Sequence, residues 1–182
     1  MTVSHSIFFF VRALLAVVFG TAAFGKATQL GVFADSLRNI GPQLFATRLR
    51  RLVGATIVVA AEATVCVLLV VPATSVAGLA LALLLLVAFG AAIASVVRRG
   101  ATAPCHCFGA EGSPLSSSHL LRNGLLAVVA AAGIAVRLST GPVSALPDYD
   151  GALAVALGLL LGIGITRWDD LVFVATPPRP LA

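Results

Sequence analysis

Two cysteines with a histidine between them stand in the stretch "ATAPCHCFGAEGSP" (residues 101–114) of a 182-residue chain that holds only three cysteines. Cys105, His106 and Cys107 are soft metal ligands and redox groups at once, so two chemistries compete for them. A C-x-C pair can close a small, strained disulfide ring that is easily reduced, which suits thiol exchange better than structural stapling. A positive charge held on His106 would raise the thiolate fraction, and the thiolate is the nucleophile. Alternatively, the two thiolates could bind Cu(I), or with His106 and His119 complete a four-ligand zinc set, although zinc sites usually use C-x2-C or wider pairs. The plainest alternative is two small residues capping a loop. Pro104 before the motif and the "FG" after it favour thiol redox chemistry. Cys105, Cys107 and His106 are therefore the candidate catalytic residues, and no metal site is assigned.

A second candidate is Glu62, near the centre of "LVGATIVVAAEATVCVLLVV" (residues 52–71), where an ionised carboxylate is expensive and needs a partner. Counting along antiparallel helices puts Glu62 about 15 Å and Arg12 about 20 Å from the same membrane face, within reach of a long Arg side chain. Arg12 is thus the expected partner, while Lys26 sits at the face itself. The pair either fixes helix packing or carries protons. Cys66, one turn after Glu62, reads as a small buried hydrophobe.

The elements that must position these groups are apolar. Hydrophobic residues make up 59% of the chain and charged residues only 10%, too few to keep a soluble domain in solution. The formal charge of +5 comes without any basic stripe interleaved with aromatics, so nucleic acid is not an expected partner and membrane lipids are. Five apolar runs, about 6–26, 52–71, 76–97, 119–138 and 151–168, are long enough to cross a bilayer of ~30 Å. They predict an all-α integral membrane bundle, with residues 1–182 forming one transmembrane domain and a disordered tail over 175–182. The first run is read as a retained span, because no Lys or Arg precedes it and Arg12 interrupts it. Residues 27–51 suit a short helix at the interface. "PATS" makes a tight hairpin of spans two and three. Phe8 to Phe10 and Trp168 are expected to anchor helix ends at the headgroups. Ten of the twelve basic residues fall on one side of a five-span arrangement, which puts the amino terminus outside and the cysteine loop at the cytoplasmic face.

"PCHCFG", preceded by "VVRRG" and followed by "LLRNGLL", together with "R...A..F..AAFGK" (Arg12 to Lys26) and Glu62, resembles the methylamine utilisation protein MauE family of DoxX-like integral membrane proteins. The resemblance covers residues 8–138. It implies a four-helix membrane bundle with an added fifth, C-terminal helix, in the plasma membrane of a bacterium. It also implies a role in maturing the disulfide-rich small subunit of methylamine dehydrogenase with a thioredoxin-like partner, the C-x-C-F-G pattern falling on Cys105, Cys107, Phe108 and Gly109. A client outside the membrane and a cytoplasmic loop leave the direction of electron flow open. No resident cofactor is called for, and a quinone is the one acceptor left open. The readings carried forward are thiol/disulfide exchange supporting maturation of a client protein, then soft-metal (copper or zinc) binding or transport, then a non-catalytic membrane scaffold.

Overall fold

The computed structural model describes residues 3–99, 104–105, 113–114, 117–140 and 147–167. Five of its helices are long and apolar enough to cross a membrane. These are α1 (Val3–Thr28), α3 (Arg48–Val70), α4 (Ser75–Arg98), α5 (Ser117–Thr140) and α6 (Tyr149–Thr166). Between the first two lies the shorter α2 (Leu30–Ile40). The expected tail over 175–182 and Trp168 lie outside the described residues.

Helices α1, α3, α4 and α5 pack in a closed ring, each against the next and α5 back against α1, while α6 lies outside the ring against α1. This is the four-helix core with a fifth span. Helix α1 is the hub, and Phe8, Leu15, Val18 and Phe19 meet Val65 and Leu69 of α3 and Leu79 of α4 in the main core. The sequence explains how α6 docks. Gly151, Ala154, Gly158 and Gly162 are its buried residues, and a Cβ on Gly158 would lie 2.5 Å from the Phe10 carbonyl oxygen. Small residues three or four apart let two helix backbones approach, which is how helices associate without a hydrophobic driving force between them.

The α3–α4 hairpin closes through a 3-10 turn over Pro72–Thr74. Gly78 allows it, since a Cβ there would come within 3.0 Å of the Leu69 nitrogen. Phe8 and Phe9 are buried inside the protein and are not headgroup anchors, because they lie more than a turn inside α1, where the helix packs against its neighbours. Helix α2 follows α1 after a one-residue break at Gln29. It turns Phe33, Ala34 and Leu37 onto Ala55, so its apolar stripe is covered by protein. An amphipathic stripe in sequence does not tell lipid headgroups from a neighbouring helix.

Candidate functional site: a buried ion pair at the cysteine-loop end of the bundle

The cysteine motif enters the described structure at one position. Cys105 pairs with Ser113, and Pro104 with Pro114, in a two-residue antiparallel ladder of β1 (Pro104–Cys105) and β2 (Ser113–Pro114). The ladder ties together the two ends of the segment that carries the motif, and the chain then enters α5 at Ser117. His106 and Cys107 lie outside the described residues. Among the described residues no group of three or more His, Cys, Asp or Glu side chains could hold a metal ion.

The loop joins the C-terminal end of α4 to the N-terminal end of α5, and that end of the bundle is polar inside. His119, Arg122 and Asn123, on one face of the first two turns of α5, are all buried. Asn123 donates from Nδ2 to the Leu86 carbonyl of α4 at 2.7 Å. One turn further along α4, Phe89 lies under the ammonium of Lys26, 5.6 Å from the ring centroid.

Lys26 is the group that sequence reasoning misplaced. Its Nζ lies 2.6 Å from Oε1 of Glu62, and the two side chains are 3% and 1% exposed. The expected Arg12–Glu62 pair is therefore corrected to Lys26–Glu62. Arg12 instead donates from Nε to the Leu69 carbonyl at 2.8 Å and from Nη2 to the Val70 carbonyl at 2.9 Å. Two physical facts decide this. Helical side chains lean toward the N-terminus of their own helix, so both stems of α1 point the same way. Arg12 leans away from Glu62 toward the end of α3, and Lys26 leans back toward the middle of the bundle. Moreover, α1 does not stop at an open face, because α2 follows and lays Phe33 over the Lys26 ammonium at 5.5 Å.

The two sites on α1 differ in completeness. The last carbonyls of α3 have no partner within the helix. Here Val67 accepts from the Val71 amide, Leu68 from the Thr74 hydroxyl, and Leu69 and Val70 from Arg12. The guanidinium also lies within 6 Å of the Phe8 and Phe9 rings, at 5.6 and 5.8 Å. At the other site, Glu62 Oε2 is buried and receives no hydrogen bond among the described residues. Cys66 donates from Sγ to the Ala16 carbonyl at 3.4 Å, lies half-buried between α1 and α3, and is a free thiol.

Residues 4–136 match the family described as methylamine utilisation protein MauE. The chain belongs to the MauE family. The match takes in Arg12, Lys26, Glu62, the C-x-C motif and the buried face of α5, and it ends before α6, the helix outside the ring. No match was found among curated proteins or solved structures. The Lys26–Glu62 contact had one sequence signal: Lys26 is the only lysine in the chain, all eleven other basic residues being Arg.

Proposed function

We propose that this MauE-family membrane protein is a thiol–disulfide exchange component of a bacterial plasma membrane, in which Cys105 and Cys107 close and reopen a disulfide with a thioredoxin-like partner and so support maturation of a client protein. The observation that carries the reading is the ladder at Cys105. It joins the two ends of the motif-bearing segment where α4 leads into α5, which supports a site at one end of the helix ring. The family's description as a methylamine utilisation protein makes the small subunit of a methylamine dehydrogenase one candidate client. His106 assists by favouring the thiolate. The excess of Arg at this end supports a cytoplasmic loop, where reducing conditions keep the resting pair as thiols.

Thiol trapping with mass spectrometry on membranes, before and after a mild oxidant, tests the proposal. Oxidant is expected to link Cys105 to Cys107 while Cys66 stays alkylatable. Thiols that stay reduced under oxidant, with stoichiometric copper or zinc recovered, would replace it with the soft-metal reading. Replacing Ser36 or Ser113 by cysteine and adding an impermeant reagent to intact cells checks the orientation. Both positions are expected to remain unlabelled, and labelling of Ser113 alone would break the five-span topology.

A further inference from the structure

The orphaned oxygen of Glu62 calls for an explanation that helix packing does not supply. A pair built only to hold α1 against α3 would gain by satisfying both carboxylate oxygens, since an unmatched buried acceptor is destabilising. Oε1 is held by Lys26 and, among the described residues, Oε2 receives no hydrogen bond, with 1% of the side chain exposed. Around the ammonium, Phe33 and Phe89 stand at 5.5 and 5.6 Å. Two ring faces attract a cation whether or not its carboxylate is charged, so they offset part of what Lys26 loses if Glu62 becomes neutral, and a neutral carboxyl still accepts its hydrogen bond.

From this geometry, and resting on the exchange reaction proposed above, we infer that Glu62 is a proton-accepting site whose occupancy follows the thiol state of the cysteine loop. When Cys105 and Cys107 are oxidised by a protein disulfide, two S–H bonds and the partner's S–S bond break, and one S–S bond forms. The two electrons pass to the partner's sulfurs, one of which leaves as a thiol and the other as a thiolate. That accounts for one of the two protons, and the second goes to Oε2 of Glu62. Re-reduction of the loop returns it.

The surrounding groups are few. Helix α1 contributes Lys26, α3 itself contributes Cys66 one turn away, and α4 has no ionisable residue between Ser75 and Val97. Helix α2 contributes Phe33 while its charged Asp35 and Arg38 are exposed. Helix α5 brings buried His119 and Arg122 within two turns of the loop. Asn123, on that same face, bonds to Leu86, three residues from Phe89, so polar groups run from the loop's exit to the level of the pair.

A hydrophobic carbodiimide tests this, because it adds to a protonated carboxyl group in an apolar site and not to an ion-paired carboxylate. The full chain in lipid nanodiscs is treated with it in the reduced state and after incubation with an oxidised thioredoxin-fold protein. Thiol trapping follows on the same samples, and Glu62→Gln serves as the blank. Peptide mass spectrometry is expected to show several-fold more adduct on Glu62 when the Cys105–Cys107 bond has closed, with reversal on reduction. In Lys26→Gln, where the carboxyl has lost its cation, labelling is expected in both states, which shows that the reagent reaches the site. Closure of the disulfide with no change in Glu62 labelling would overturn the proton site and leave the exchange reaction standing. Failure of the disulfide to close would overturn both.

Discussion

Helix α1 buries two cations, Arg12 in its first half and Lys26 in its last turn, and their surroundings are built differently. Arg12 uses its planar fork on the Leu69 and Val70 carbonyls, and with the Thr74 hydroxyl and the Val71 amide it leaves none of the last carbonyls of α3 unmatched. Around it, α6 is pressed so closely onto α1 that Gly158 has no room for a Cβ. Lys26 sits in a site with one carboxylate oxygen matched and the other not, between two phenyl rings, at the end of the bundle where the cysteine loop begins and ends. A fully satisfied, tightly packed polar cluster stabilises one structure. An incompletely satisfied one costs stability and is retained where a group must change state. Under the proposed function, the contrast gives Arg12 a role in folding and Lys26–Glu62 a role in the exchange reaction.

Breaking the ion pair should have the largest effect. Glu62→Leu strands the Lys26 ammonium in the bundle and is expected to destabilise by about 3–5 kcal/mol, read as lost folded yield and a lower melting temperature in detergent. Lys26→Met combined with Glu62→Leu removes both charges and should recover most of that stability without recovering activity. Recovery of both would make the pair a packing device and erase the contrast.

Arg12→Leu should come next, at roughly 2–4 kcal/mol, because two helix-terminal carbonyls lose their donors together. Arg12→Lys should recover only part of it, since a single ammonium cannot reproduce the fork. The exchange activity of whatever folds is expected to be unchanged, and a specific loss of activity in folded Arg12→Leu protein would move Arg12 into the functional class.

The smallest effect concerns α6. Gly158→Ala pushes a methyl group against the Phe10 carbonyl and should cost about 1–3 kcal/mol as α6 shifts off α1. Faster amide exchange in α6 and the first half of α1, with α3 around Glu62 unaffected, would show that the two ends of α1 are separable. Equal loosening around Glu62 would show that they are not.

Much of the fold was legible in the sequence. Runs of about 20 apolar residues located every long helix, because hydrocarbon leaves a spanning segment little choice but to satisfy its own backbone. Glu62 was legible for a related reason, being a charge where none is cheap. Its partner was not. Counting residues from an assumed membrane face ignored both the lean of helical side chains and the cover that α2 adds beyond α1. Phe33 and Phe89 gave no signal, since a phenylalanine in an apolar run looks the same against a cation as against a leucine. The C-x-C motif offered two chemistries, thiol redox and soft-metal binding, through residue types alone, and only Cys105 of its three residues lies within the described structure.

The central claim, that Cys105 and Cys107 pass a disulfide to or from a protein partner, is met most directly by trapping the intermediate. Thiol-disulfide exchange runs through a mixed disulfide that the second cysteine resolves. In a Cys66→Ala background, Cys105→Ser and Cys107→Ser should each lack the intramolecular bond. One of the two should accumulate a reductant-sensitive covalent adduct with a thioredoxin-fold protein, while the variant lacking both cysteines accumulates none. Absence of an adduct from both single-cysteine chains, with full activity retained in either, would contradict the account.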